Sequence, residues 1–114
     1  MNYVIENIRK RRSIRKYLSK PLKKSELQAI IEAGTYDPSA HNDQSWHFTV
    51  IRNRELIDRI SAKSKEVMAA QKPEWVNAMG KNKKFHLFYN APAVIIVSMR
   101  KDAMAPIVDC SAAI

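Results

Sequence analysis

The chain has few of the residues on which many small-molecule sites depend, with two glycines, one cysteine and three histidines among its 114 residues. Because Gly34 and Gly80 stand alone, there is no glycine-rich loop of the kind that cradles a nucleotide phosphate. Cys110 has no partner for an internal disulfide, and neither it nor the histidines show the spacing of metal ligands. No Ser–His–Asp or Cys–His arrangement is present either, so we expect neither a metal site nor a catalytic side chain of these types.

Long apolar runs are also missing. None approaches the roughly 20 residues that a membrane helix needs, and the charged N-terminal region lacks the apolar block of a secretory signal. A lone cysteine fits a reducing compartment, so the cytoplasm is the expected location. An apolar fraction of 46% argues against disorder, and a chain of this length fits a single domain over residues 1–114.

Positive charge is abundant, with 20 Lys and Arg against 11 Asp and Glu and a net charge of +9. Seven of these cations fall between Arg9 and Lys20, and Lys81, Lys83 and Lys84 form a second cluster. Such an excess attracts anions, which include nucleic acid, a phosphorylated cofactor and an anionic membrane surface. We expect most of the lysines to be solvated surface charges.

Apolar spacing and capping residues predict five helices and two strands. In the helix that Asn53 would cap, Leu56, Ile60 and Val67 are predicted to share the apolar face. The helices are expected over residues ~3–10, ~24–34, from Asn53 onward, ~74–79 and after Pro106, and the strands over 47–51 and 93–97.

The continuous apolar run at 93–97 predicts a central strand that is buried on both faces. This chain supplies at most one neighbour for it, and two strands do not form an independently stable sheet without further strands or packed helices. Either another chain completes the sheet, or the sequence is a fragment. A helical domain with one hairpin is the alternative.

Arg11, Ser13 and Arg15 alternate along a segment without helical periodicity. In an extended segment these three side chains share one face, and two guanidinium groups with a hydroxyl match the charge and acceptor oxygens of a phosphate. A nucleic-acid backbone would fit them equally well. Ile14 faces the other way and is expected to anchor the segment on the core.

A second polar segment runs from Pro38 to Phe48, directly into the first strand. Its small residues would let a flat ligand approach the backbone, and Asn42 and Gln44 carry both donors and acceptors for a heteroaromatic edge. Alternatively, Asn42 and Gln44 only satisfy the loop backbone. Trp46 and Phe48 are expected to belong to the core.

These two segments, followed by Phe88-Tyr89-Asn90-Ala91-Pro92 before an apolar strand, resemble the FMN-dependent nitroreductase family over essentially the whole chain. The resemblance implies an α+β fold, nitroreductase-like, with a mixed sheet flanked by helices and incomplete at the C-terminus. It also implies an intertwined homodimer with FMN at the interface. Because that family has later segments, the chain is expected to be a truncated product or fragment.

The resemblance further implies which residues would bind the flavin. The arginine-bearing segment would hold the phosphate and the polar edge of the flavin, with Arg12 acting mainly through its backbone, whereas the second segment would reach the flavin of the partner subunit. No role is assigned to His41 or Asp43, and His47 and His86 are expected to be structural. The cofactor-binding residues are thus Arg11, Arg12, Ser13, Arg15, Pro38, Ser39, Ala40, Asn42 and, as a further contact, Gln44.

The implied activity is an FMN-dependent oxidoreductase that passes electrons from NAD(P)H through the flavin to nitroaromatic, quinone or similar small-molecule acceptors. Two alternatives stay open: a basic nucleic-acid-binding module using Arg9–Lys24, and a catalytically inactive flavin-binding fragment. Nucleic acid is the less favoured partner, because the basic stretch has only Tyr17 as a stacking aromatic. The sequence names neither the acceptor nor a preference between NADH and NADPH.

Overall fold

Local capping signals set where the helices begin. The computed structural model describes residues 2–114. Asn2 accepts the Val4 N–H at 2.8 Å, Asn53 accepts the Leu56 N–H at 3.0 Å, and Pro106 is the first residue of the last helix. The elements are α1 Tyr3–Lys10, α2 Lys24–Thr35, a short 3-10 turn Ala40–Asn42, β1 Trp46–Ile51, α3 Arg54–Ala69, α4 Glu74–Lys81, β2 Val94–Met99 and α5 Pro106–Ala113.

The two strands pair antiparallel, with Trp46 opposite Met99 and Ile51 opposite Val94. They are joined through α3 and α4 and not by a tight turn, so the pair is not a hairpin. The predicted α+β class is confirmed. The prediction that the second strand is buried on both faces is wrong, because Ile96 is 42% exposed and only β1 lies beside β2 within residues 2–114.

The buried face of α3 differs from the predicted one. Leu56 and Val67 are 42% and 61% exposed, whereas Ile57 and Ser61 are 0% and 2% exposed. Ser61 lies inside because its Oγ accepts the Leu87 N–H at 2.9 Å. Because a polar residue lies on the inner face, the spacing of apolar residues, on which the prediction relied, does not mark that face.

α3 and α4 approach each other closely at Gly80. A Cβ at this position would lie 2.4 Å from the Ala69 nitrogen and 2.7 Å from the Lys65 carbonyl oxygen. Nearby, the side-chain amide of Asn77 donates to the Ala69 carbonyl and satisfies an acceptor at the end of α3. The helix pair therefore depends on the absence of a side chain at position 80.

The core of residues 2–114 is small for a chain of this size. Its buried apolar residues are Leu27, Ile57, Ala91 and Ala103, and α1 buries none. The accessible surface is 9243 Å², against about 6,400 Å² for a folded monomer of this mass. The radius of gyration is 16.6 Å, where roughly 13 Å is usual. Much apolar surface is thus left without cover by these residues.

Among residues 2–114, no helix combines the length and the apolar character that would let it cross a bilayer.

Gly80→Ala is expected to lower the free energy of unfolding by about 2 kcal/mol or more. The new methyl group would clash with backbone atoms of α3, which cannot rotate away as a side chain can. Gly34→Ala is the matched control: it also lies in a helix, but its Cβ would meet the Phe48 ring at 3.1 Å. That ring can shift by a few tenths of an ångström, and alanine favours the helix by about 1 kcal/mol. Urea denaturation of both variants checks this, and equal losses would contradict the packing argument.

Candidate functional site

The first part of the candidate site is the arginine arm, residues 11–17. It lies between α1 and α2 in the sequence, directly after α1, and is exposed throughout. Arg11 ends α1 in an extended conformation, with φ −56° and ψ 134°. Within residues 2–114 the side chains of Arg11, Ser13 and Arg15 make no hydrogen bond or ion pair. Two guanidinium groups and a hydroxyl are therefore available to an external anion.

Arg12 behaves differently from its neighbours. Its Nη1 donates to the carbonyl oxygens of Arg9 at 2.9 Å and of Arg11 at 2.8 Å. This side chain is therefore already engaged with the local backbone.

The arm is not anchored on the core as predicted. Ile14 is 63% exposed, and Tyr17 donates its hydroxyl locally to the Ile14 carbonyl at 2.9 Å. Ile14, which was expected to anchor the arm, is not buried within residues 2–114, because the small core does not extend beneath it.

A cleft of about 420 Å³ joins the arm to the segment before β2. It brings Arg15 and Lys16 of the first basic cluster beside Lys84 of the second. Sequence reasoning did not connect these clusters, since some 70 residues separate them. The cleft gathers positive charge and can attract an anion. Its lining residues are Arg15, Lys16, Tyr17, Asn82, Lys84, Phe85, His86, Tyr89 and Asn90.

His86 organises the wall of this cleft, the His86 loop, residues 85–91. Its Nδ1 accepts the N–H groups of Phe88 at 3.1 Å and of Asn90 at 3.2 Å. The proton of the neutral ring therefore sits on Nε2, which lies 3.0 Å from Asp58 Oδ1 and donates to it. These bonds give His86 a structural role, as was expected from the sequence.

α3 supplies further partners for the same loop. Arg54 donates to the backbone oxygen of Asn90 at 3.1 Å and to its side-chain oxygen at 2.9 Å. Tyr89 and Asn90 have φ values of 52° and 58°, a left-handed conformation that non-glycine residues seldom adopt without support. The polar face of α3 thus holds an irregular turn immediately before β2.

The second part of the candidate site is the Asn42 loop, residues 38–45. His41, Asn42 and Gln44 have φ values of 54°, 51° and 48°. The turn is closed by the Asn42 N–H, which donates to the Ser39 carbonyl at 3.0 Å, and by the Gln44 N–H, which donates to Ser39 Oγ at 3.0 Å. Ser39, and not Asn42 or Gln44, supplies the side chain that satisfies the loop backbone.

Side chains that lie much later in the sequence contact and hold the Asn42 loop. Both carboxylate oxygens of Asp109 lie 3.2 Å from the Ala40 nitrogen, and Asp109 is 3% exposed. Arg100, just after β2, pairs with Asp43 at 3.1 Å. Sequence reasoning missed Asp109 and Arg100 and gave Asp43 no role, because no local pattern marks contacts that span 69 and 57 residues.

Buried polar atoms without a hydrogen-bond partner also lie around this loop. Within residues 2–114, the buried side-chain polar atoms without a partner are Asp37 Oδ2, Ser45 Oγ and Trp46 Nε1. All three lie in or beside the Asn42 loop.

Three clefts are lined by residues of the arginine arm, and none of the three includes a residue of the Asn42 loop. In residues 2–114 no group of three or more His, Cys, Asp or Glu side chains is arranged to hold a metal ion.

Comparison with known proteins finds similarity in sequence and in structure. The model of the nitroreductase family matches residues 8–114. A Methanothermobacter thermautotrophicus protein, provisionally named an NADH dehydrogenase/NAD(P)H nitroreductase, is 42% identical over 57 residues, which are 50% of this chain and 30% of that protein. A protein of the same name from Archaeoglobus fulgidus is 38% identical over 61 residues, or 54% of this chain and 35% of that protein.

Solved structures agree over nearly the full described length. A Bacteroides fragilis nitroreductase with bound FMN superposes with a TM-score of 0.90 at 32% identity, covering 100% of this chain and 61% of that chain. A Desulfitobacterium hafniense nitroreductase with bound FMN gives 0.85 at 30% identity, covering 99% and 61%. The chain therefore spans about three fifths of these relatives.

His86→Ala is expected to lower the free energy of unfolding by about 1–3 kcal/mol, because two backbone N–H groups lose their acceptor. His86→Asn retains an acceptor near the position of Nδ1 and should lose less than half as much. Thermal and urea unfolding of the two variants check this. Equal destabilisation by both would contradict the role given to Nδ1.

Proposed function

This chain belongs to the nitroreductase family, and from that premise we propose that it binds FMN and serves as an oxidoreductase. The observation that carries the proposal is that the side chains of Arg11, Ser13 and Arg15, whose chemistry suits a phosphate, are exposed and without partners within residues 2–114. Two solved relatives that cover this chain almost completely have FMN bound.

The chemistry of the arginine arm fits the phosphate of FMN. Arg11 and Ser13 offer charge-assisted and neutral donors to phosphate oxygens, and Arg12 would contribute its backbone. Arg15 lies further along and is one of the residues that line the basic cleft. It would place a positive charge beside the polar edge of the ring system, where negative charge on the reduced ring needs stabilisation.

The Asn42 loop fits the flat part of the cofactor. Its exposed Asn42 and Gln44 side chains make no hydrogen bond within residues 2–114, so their amide groups can meet donors and acceptors on a heteroaromatic ring. Pro38, Ser39 and Ala40 would provide the close backbone surface. When bound, FMN supplies the electron transfer from NADH or NADPH to a nitroaromatic, quinone or similar acceptor.

We also propose a homodimer in which the arm of one subunit and the Asn42 loop of the other meet one flavin. Support comes from the excess surface: residues 2–114 expose about 2,800 Å² more than a folded monomer of this mass. The apolar residues of α1 are prominent in it, with Val4 64% and Ile8 69% exposed. A cytoplasmic location stays a prediction from the sequence.

Arg11→Ala and Arg15→Ala are each expected to weaken FMN binding about 10- to 100-fold, because a charge-assisted hydrogen bond contributes about 1.5–3 kcal/mol. Flavin fluorescence quenching by the purified protein measures the Kd. The matched control is Arg59→Ala, which removes an exposed arginine of α3 and should change the Kd less than about twofold.

The visible spectrum of the same samples tests the activity. Bound flavin should bleach when NADH or NADPH is added without oxygen, and regain its colour with a quinone. A protein that binds FMN without bleaching would be a flavin-binding fragment without catalysis, and a protein that binds no FMN would contradict the proposal.

Ile8→Asp is expected to convert the dimer to monomer at micromolar concentration, because a charge would enter an apolar contact between subunits. Asn7→Asp is the control, since it places the same charge one residue away at an exposed polar position of α1. Sedimentation velocity measures both. A wild-type protein that is monomeric at every concentration would refute the proposed dimer.

A further inference from the structure

We propose that Asp109 is a positioning residue for the cofactor: its buried carboxylate fixes the Ala40 N–H and so holds the Asn42 loop in the conformation that meets the flavin. This inference rests on the proposed function and extends it to a residue that would not itself touch FMN.

The contact is specific. Asp109 is 3% exposed, and its two oxygens each lie 3.2 Å from the Ala40 nitrogen, so one N–H is shared between them. A buried carboxylate is unfavourable unless a hydrogen bond compensates for the lost hydration. Ala40 supplies that bond, and displacement of the loop would leave the carboxylate buried without it.

Ala40 is the residue through which such a contact controls the loop. Its N–H is held by Asp109, and its carbonyl accepts the Asp43 N–H at 3.2 Å. His41 and Asn42, between these bonds, have φ values of 54° and 51°. Ala40 thus lies between the bond to Asp109 and the bond that closes this left-handed stretch, so its placement contributes to the direction of Asn42, together with the bonds from Asn42 and Gln44 to Ser39.

A second contact to the loop is weaker. The Arg100–Asp43 pair has side chains 59% and 29% exposed, and Arg100 also lies 3.4 Å from Asp102. Because water and salt screen exposed ion pairs, they stabilise a conformation less than a buried hydrogen bond to a charged group does. Of these two contacts that reach the loop from outside it, the one from Asp109 therefore contributes more to holding the conformation of the loop.

The consequence for binding is preorganisation. A loop that is already held in its binding conformation loses less conformational freedom when the ligand arrives, so affinity is higher for the same contacts. α5 thereby contributes to the cofactor site through the backbone of Ala40, although no side chain of α5 was expected there.

The test combines hydrogen exchange at the Ala40 amide with FMN affinity in the purified protein. Asp109→Ala removes the acceptor, and we expect exchange at Ala40 to accelerate while β1 and β2 amides stay protected, with the Kd for FMN rising about tenfold or more. Asp109→Asn keeps a neutral acceptor, and its Kd should rise only about two- to threefold. Glu55→Ala is the control and should change neither measurement, because it removes an exposed carboxylate of α3 that makes no hydrogen bond or ion pair within residues 2–114.

The outcomes separate the two proposals. If wild-type protein binds FMN, but Ala40 exchange or FMN affinity is unchanged in both Asp109 variants, the positioning role is refuted and the proposed function stands. If wild-type protein binds no FMN, the proposed function fails, and this inference fails with it. Should Asp109→Ala not fold, Asp109→Asn still decides, because a purely structural role predicts lower stability without altered affinity of the folded protein.

Discussion

Backbone polar groups in irregular segments must find partners, and this requirement shapes the site more than any other constraint. The His86 loop and the Asn42 loop both contain residues in the left-handed region, where no regular ladder satisfies the main chain. Side chains provide the missing partners, since His86 accepts two N–H groups of its own loop and Asp109 accepts the Ala40 N–H. The conformation of each loop therefore depends on the side chain that accepts its backbone N–H groups.

A second constraint is the shortage of covered apolar surface. Residues 2–114 bury few apolar side chains completely, and α1 presents its apolar residues to solvent. Two antiparallel strands and five helices do not reach the burial that is usual for this mass. In the proposed arrangement, one flavin lies between the arm of one subunit and the loop of another. Contact between the subunits would cover apolar surface, and it would also place the two segments at the same ligand.

Local signals predicted the elements well. Asn53 caps α3 and Pro106 begins α5, and observed helix and strand bounds lie within about two residues of those predicted. The inner face of α3 was wrong because Ser61 is buried for its hydrogen bond to Leu87, and apolarity does not register that reason. Ile14 was expected to be buried because it is apolar, yet whether a surface exists beneath it depends on the packing of distant segments.

The sequence by itself determined the secondary structure, the family and the two segments that carry the proposed cofactor contacts. Those properties reside in short runs of residues, where side-chain type and spacing act directly on the neighbouring backbone. Only the tertiary structure decided that Lys84 joins Arg15 at one cleft and that Asp109 holds Ala40. Such contacts join positions some 70 residues apart, and the local chemistry of a lysine or an aspartate is the same whichever partner the fold brings to it.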